Sequence, residues 1–508
     1  MHYNKRLMKK HLFLFITFLL FSISFGQVQN IADLSTGILE ESKNVRDENQ
    51  NLIGYLFLFN KGLINQDKSV QYEYVLLDNN LNKLTNGDFN LPNFKRLKFK
   101  ISNLVYHQQK LYITSVFYHT TKFSRFGQNL KVIDMKNNEV IQDKFYRDNQ
   151  FTQMSDIINF EELKPDITVQ SSILIPRVSN SKIYYIDYRS VYYMNLSKLK
   201  NIIIYKQDFS KSFQYEIDTK MEKDGYDFNI NEIKNGNIVI FQQKNNKTSG
   251  FPILGVDRLI TYSLENGTII SNIIYNFPSK NGDEYYIPYT ETVGDNLAVV
   301  GDIKLMNEQS VYNISSKPSY GLIRSVYDSV GKTITEKKIY YADIFKEYSF
   351  RDGRDSDGYK FHLKEYFNYN DNSYSVLLVK QKGDNIMTLP RTTDYILANF
   401  DKNGIYKNHL LLEKTKVKYM DSYLFSQENK EENEVLFFYA EELKENGKKE
   451  WFLTINKLKN GELSQVRMPF KTESSTIRFG IAKYGYIMIT EYNKDDKERS
   501  VRIEKLNI

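Results

Sequence analysis

An all-β fold is what this sequence predicts: a single β-propeller of eight four-stranded antiparallel blades, with seven as the alternative. Three observations carry the prediction. A short apolar run, mostly rich in aromatic or β-branched residues, recurs eight times: LIGYLFLF from Leu52, KLYITSVFY from Lys110, KIYYIDY from Lys182, NIVIFQ from Asn237, NLAVVGDI from Asn296, YSVLLVK from Tyr374, EVLFFYA from Glu434 and YIMITEY from Tyr486. The starts of these runs lie 58, 72, 55, 59, 78, 60 and 52 residues apart. Four strands of about six residues with their turns need somewhat over 40, so each unit has room for long loops. No Pro/Gly/Ser-rich linker interrupts the series, which weighs against stacked β-sandwich domains. A repeated unit that cannot bury both faces alone must stack on its neighbours.

Ahead of the first unit, Lys5, Arg6, Lys9 and Lys10 precede an apolar stretch from Leu12 to Phe25, broken only by Thr17, Ser22 and Ser24. Ser24 and Gly26 are the small residues before a cut at Gln27, the pattern of a secretory signal peptide. Residues 1–26 are therefore expected to be removed, leaving 27–508 as one propeller domain in the periplasm or outside the cell. The stretch of about 14 residues falls short of the roughly 20 that a spanning helix needs. No later stretch is longer or more apolar, so the mature chain is expected to be a soluble monomer without a transmembrane segment.

Each apolar run reads as the second strand of a blade, nearly continuously apolar because neighbouring blades cover both faces. A first strand precedes it across a tight turn, as at Asn235-Gly236 and Tyr484-Gly485. A second hairpin follows, with turns such as Asn266-Gly267, Asn403-Gly404 and Asn460-Gly461, pairs that accept the positive φ of two-residue hairpins. The eighth unit holds three strands, and a fourth is expected from Val28 to Leu39, closing the ring without an exposed edge. Long connections are expected at 147–169, 209–227, 303–319 and 343–358, all on one rim, where loops on a rigid scaffold usually bind. In the first of these, Ser155 is placed to cap a short helix ended by Pro165.

Composition excludes several function classes. The chain has no cysteine, which removes disulfides, thiolate nucleophiles and thiolate metal sites. The net charge of +7 shrinks once the four basic residues of the leader are set aside. The remaining charges of both signs are interspersed, unlike a nucleic-acid footprint. Histidines 107, 119, 362 and 409 show no metal-binding spacing and read as surface or loop residues; HExxH, GxSxG and phosphate-loop motifs are absent.

Candidate site residues remain few. RDGRDSDGYK, Arg351 to Lys360, places Asp352, Asp355 and Asp357 beside Gly353 and Gly358, an arrangement that resembles an acidic calcium loop. Calcium is thus a candidate cofactor, though alignment on Gly358 puts Lys364 where a closing glutamate belongs; a solvated acidic turn is the plainer reading. Arg125, Arg147, Arg258 and Arg354 are candidate ligand contacts on the loop-bearing rim, where basic residues outnumber acids through the first six units and would attract an acidic glycan or envelope protein.

The passage FSISFGQVQNIADLSTGILEE, followed by GYLFLF, resembles uncharacterised exported proteins common in Bacteroidota-type bacteria, a group without assigned activity. The resemblance implies a Gram-negative envelope location and carries over no catalytic residue. Two functions are carried forward from the sequence: a non-enzymatic envelope binding or scaffold propeller, and a carbohydrate-active hydrolase or lyase using carboxylates and tyrosines on the propeller axis.

Overall fold

In the computed structural model, the chain forms eight antiparallel sheets spanning 38–92, 97–153, 171–216, 226–274, 283–340, 360–412, 423–470 and 475–505, each ordered as its strands occur in sequence. The structure describes residues 34–46, 52–64, 69–92, 97–119, 125–147, 149–156, 171–193, 196–216, 226–245, 254–274, 283–293, 296–305, 318–382, 391–413, 423–429, 431–445, 448–459, 461–470, 475–493 and 499–506. It is an eight-bladed β-propeller. Every one of the eight apolar runs is the second strand of its blade, as its pattern predicts.

The core explains why. On a strand, alternate side chains face opposite sides, and here the two sides face two different neighbours. Leu56 and Leu58 pack toward Leu111 and Ile113 of the second blade, whereas Tyr55, Phe57 and Phe59 pack toward Met488, Val501 and Ile503 of the eighth. The same arrangement recurs around the ring, with an apolar cluster joining each consecutive pair of blades. A fully buried Leu, Ile or Phe contributes about 1.5–3 kcal/mol, so these interfaces dominate the stability of blades that could not stand alone.

The ring closes between the last blade and the first. Asn44 Nδ2 donates to the Ile481 carbonyl at 2.7 Å, the Lys483 amide to Tyr55 Oη at 2.9 Å, and Lys483 Nζ to Asn80 Oδ1 at 2.8 Å. Among the described residues the eighth blade keeps three strands. Ile38 and Leu39, included in the segment expected to supply its fourth strand, belong instead to the first strand of the first blade; 28–33 lie outside the described residues.

First strands of successive blades touch one another, so they are the ones nearest the axis. In six of the eight blades this strand carries a mid-strand irregularity against its partner. One residue is extra at Glu40, Ser102, Asn231, Lys364 and Leu424, and Ile287-Pro288 stand opposite Gly301 alone. Such bulges strengthen local twist and release a residue from the ladder.

Three loop expectations need correction. Residues 150–153 form a fifth strand on the second blade, because Phe151 is held by Tyr146 at 4.6 Å and Phe209 at 4.6 Å between ring centroids. Only a 3-10 turn, Met154–Asp156, follows it, and Pro165 lies outside the described residues. Residues 211–216 are the outer strand of the third blade, so the 209–227 connection is shorter than expected. At Asn266-Gly267 and Asn403-Gly404 only the glycine has positive φ. The neighbouring register shifts show longer, bulged hairpins rather than two-residue turns.

Candidate functional site

The described segment that best fits a ligand site is the connection from the fifth blade to the sixth, residues 341–359, with the strand ends that it covers. A one-turn helix, Tyr341–Ile344, begins it. Aromatic rings then fix its course: Phe350 packs on Phe361 at 5.1 Å, Tyr348 on Phe361 at 5.3 Å, and Phe345 on the His409 ring at 4.8 Å. Phe345 and Phe361 are fully buried. Aromatic pairs of this kind add about 0.5–1.5 kcal/mol each beyond burial, so the connection is a fixed wall.

The RDGRDSDGYK motif forms the outer part of that wall, and its chemistry is that of a turn. Asp355 Oδ1 accepts the amides of Asp357 at 3.1 Å and Tyr359 at 2.8 Å, and Gly358 takes φ +80°. The same aspartate-led turn closes outer hairpins elsewhere. Asp328 Oδ1 accepts the amides of Val330 and Lys332, Asp401 Oδ1 those of Asn403 and Ile405, and Asp78 Oδ1 those of Asn80 and Asn82. The other Asp355 oxygen meets Lys380 Nζ at 2.8 Å, with the carboxylate 1% exposed. Asp352 and Asp357 are exposed. Among the described residues no group of three or more His, Asp or Glu side chains is placed to hold a metal ion. The turn asks for the same aspartate and glycine as a calcium loop does.

Behind the wall lies a buried charged cluster that the sequence reading missed. Asp302 and Lys304, near the end of the fifth blade's second strand, are 2% and 0% exposed. Their charged atoms are 3.9 Å apart. Asp302 Oδ1 accepts the Leu363 amide at 3.3 Å and Tyr341 Oη at 3.4 Å. Burial pushes the Asp302 carboxyl up, opposed by Lys304, Ser319, the Leu363 amide and Tyr341. Across the interface, Lys360 and His362 stand two apart at the start of the sixth blade's first strand and so share a face. Burial, reinforced by the charges of Lys304, Lys360 and Arg354, holds the His362 imidazole well below its ordinary range, so it is neutral at pH 7. Of the four histidines read as surface or loop residues, this one is partly buried, as are His107 and His409. The pattern Lys360-Phe361-His362 directly after the aspartate-led turn was the available signal.

The arginines singled out from the sequence do not gather at one point. Arg354 borders the cluster and donates from Nη1 to the Gly358 carbonyl at 3.3 Å. Arg258 lies on the third strand of the fourth blade, its charge felt by Tyr215 and Tyr262. Arg147 ends the fourth strand of the second blade; Arg125 begins the third, its side chain outside the described residues.

Nearer the axis, a second polar group joins the first strands of the fifth, sixth and seventh blades at the Lys364 bulge. Tyr423 Oη donates to Glu365 Oε2 at 3.0 Å, Lys364 Nζ lies 5.1 Å from the centre of the Tyr423 ring, and Tyr289 Oη donates to the Lys364 carbonyl. Burial raises the Glu365 carboxyl against the opposing bonds from Tyr423 and the Tyr366 amide.

A family model described as "Family of unknown function (DUF6770)" matches residues 391–507, from the third strand of the sixth blade to the end of the eighth. No curated protein matches the chain. Among solved structures, the β-propeller domain of the Trilobed protease from Pyrococcus furiosus is 11% identical, with a TM-score of 0.32, over 82% of this chain and 97% of that one. Prolyl oligopeptidase B from Galerina marginata is 9% identical, with a TM-score of 0.36, over 90% of this chain and 55% of that one. BamB from Moraxella catarrhalis is 6% identical, with a TM-score of 0.29, over 81% and 99%. The propeller assignment rests on the strand order of the eight sheets and not on these likenesses.

Among the described residues no helix is long and apolar enough to cross a membrane.

Proposed function

We propose that the protein is an exported, non-enzymatic binding propeller of the cell envelope, and that it takes a polar partner on the rim between its fifth and sixth blades. The observation that carries this reading is the state of the acids there. Asp355 is engaged by two amides and Lys380, and Asp302 by an amide, a phenol and Lys304. Carboxylates held in this way orient a site. Abstracting or delivering a proton requires a group with a free position and a suitable partner, and here the neighbouring imidazole is surrounded by cations. The rigid aromatic wall around it suits recognition.

Export rests on the Leu12–Phe25 stretch and the Ser24-Phe25-Gly26 boundary; N-terminal sequencing of material from the periplasm or medium should begin at Gln27. Immobilised mature protein should capture acidic envelope polysaccharide and release it unchanged in length. Failure to retain any envelope polymer at low salt, or shortening of the polymer, overturns the reading.

The second reading, a hydrolase or lyase on the axis, is favoured by one observation: Glu365, its carboxyl raised by burial and hydrogen-bonded to Tyr423, sits among residues of three consecutive first strands. It predicts new reducing ends or unsaturated products from an envelope glycan, lost in Glu365→Gln. Their absence from a panel of such glycans counts against it.

A further inference from the structure

The outer hairpins of the blades share a feature that the rim does not use. In four blades the outer strand holds one residue extra against its partner, and each time that residue is an exposed aliphatic: Leu84, Ile141, Ile270 and Ile334. Ser212 and Lys407 hold the same place in the third and sixth blades. A bulge releases its residue from the ladder, so strand pairing does not ask for an apolar side chain there. Single exposed aliphatics are ordinary, but from the fourth blade to the sixth they follow one another. Ile269 and Ile270 start the outer strand of the fourth blade, Val330 and Ile334 stand just before and within that of the fifth, and Ile405 immediately precedes that of the sixth. Val330, Ile334 and Ile405 are 74%, 52% and 59% exposed. Each turn overlaps the blade before it: a Cβ at Gly331 would stand 3.3 Å from Ile273 Cγ1, and one at Gly404 3.0 Å from Lys337 Cγ. The turns are also fixed, because Asp328 Oδ1 accepts the Val330 amide at 3.1 Å and Asp401 Oδ1 the Ile405 amide at 2.8 Å.

Charge accompanies this aliphatic line. Over 328–338 and 401–408 the exposed charged residues are Lys332, Lys337, Lys338, Lys402 and Lys407 against Glu336. Asp328 and Asp401 are half-buried and engaged by the amides of their own turns. Glu265, on the fourth-blade turn, is held by Lys182 and Lys206 of the third blade, each at 2.9 Å. We infer that this edge of the ring docks on an anionic lipid surface, with Val330, Ile334 and Ile405 entering the headgroup boundary and Lys332, Lys337, Lys402 and Lys407 meeting lipid phosphates. Interfaces between proteins are enriched in aromatic residues, methionine and arginine and depleted in lysine, whereas this edge presents isoleucine, valine and lysine. Apolar side chains among lysines are the composition of surfaces that lie in a lipid interface, where an apolar and a basic contribution together give stable attachment.

The topology gives docking a direction. Turns between third and fourth strands leave one end of the blades, and the blade-to-blade connections, 341–359 among them, leave the other. Attachment by the outer turns of the fourth to sixth blades therefore holds the 341–359 connection away from the bilayer, open to a polar partner. Each lysine beside an anionic surface tightens attachment about fivefold, and each aliphatic side chain that enters it about tenfold or more. The lysine contribution is screened by salt; the aliphatic one is not.

Flotation of the mature chain with lipid vesicles tests the inference, using phosphatidylglycerol and phosphatidylethanolamine in equal parts, or phosphatidylcholine alone. The parent should float with the anionic vesicles at low salt and bind phosphatidylcholine about tenfold or more weakly. Val330→Ser with Ile405→Ser should weaken attachment about tenfold or more. Lys332→Gln with Lys402→Gln should weaken it about twentyfold. All four side chains are exposed, so both double variants should keep the parent's melting temperature. The inference is overturned if the parent stays behind when anionic vesicles float, if phosphatidylcholine serves equally well, or if either double variant floats as the parent does. Sedimentation equilibrium supplies a further arm: a parent dimer that Val330→Ser with Ile405→Ser disperses would assign the edge to a second copy and overturn lipid docking. Polysaccharide capture uses the other end of the blades, so both double variants should retain it. A chain that floats but captures no polysaccharide would remove the rim reading and leave lipid docking standing.

Discussion

Replacing Lys380 with methionine removes one half of the ion pair that pins the 341–359 connection to the sixth blade. The pair is buried, with side-chain exposures of 10% for Lys380 and 1% for Asp355, at 2.8 Å. Breaking such a pair from one side typically costs about 3–5 kcal/mol, because the remaining charge stays buried. Asp355 keeps its two amide bonds through Oδ1, so the low end applies, about 3 kcal/mol. For a chain of this size the entropy of unfolding near 60 °C is about 1 kcal/mol/K, so the melting temperature should fall by ~3 °C. Asp355→Asn should cost less, about 1–2 kcal/mol, since the Lys380 ammonium retains the rings of Tyr348 at 4.9 Å and Tyr359 at 5.0 Å. The double variant should then lose about 2 kcal/mol less than the two singles together. Burial lowers the Lys380 pKa, but Asp355 outweighs it and the net shift is upward. The pair's contribution is therefore complete below the unfolded lysine value near 10.4 and disappears as pH climbs through the higher folded value. Scanning calorimetry of the four proteins from pH 7 to 11 supplies every number. A Lys380→Met shift under ~1 °C, or strict additivity in the double variant, would refute the reasoning.

Four further outcomes are expected. Glu365 has a raised folded pKa, so its contribution is lost as pH rises above its unfolded value; Glu365→Gln should gain melting temperature relative to the parent as pH rises above about 4.3, the unfolded glutamate value. Tyr146→Phe should cost about 1–3 kcal/mol in urea unfolding, because Tyr146 Oη donates to the fully buried Asp187 carboxylate at 2.6 Å. Gly353→Ala should cost about 2 kcal/mol by the same assay, since φ there is +68° and the new Cβ would lie 2.7 Å from Pro318 Cβ. Millimolar calcium should leave the melting temperature within ~1 °C, because both Asp355 oxygens are already engaged.

The blades were legible because burial by two neighbours imposes a signal that survives in one dimension. Tyr55 and Leu56 are both buried against different blades, so the second strand reads as a continuous apolar run. Turns were legible as turns, and the tight turn at Asn235-Gly236 has both residues at positive φ; elsewhere the type was not legible. Asn266 and Asn403 could have taken positive φ, and the choice was made by the bulged register beside them. The site was hardly legible at all. Asp302 and Lys304 belong to one strand and Lys360 and His362 to another, and nothing local says that these two strand ends face each other. Conversely, Asp355 looked like a metal ligand because a backbone amide and a cation ask the same thing of a carboxylate, namely a correctly placed oxygen.

The bulges near the axis have a consequence for how this repeat can diverge. A residue exempt from the strand ladder is one whose replacement leaves the pairing of its neighbours untouched. At the bulges of different blades the chain already holds glutamate, serine, asparagine, lysine and leucine, Glu40, Ser102, Asn231, Lys364 and Leu424. Five chemistries have thus been admitted at the bulges of a single architecture. The innermost surface can be rewritten one blade at a time, as a combination lock is reset wheel by wheel, while the outer strands go on specifying the same ring.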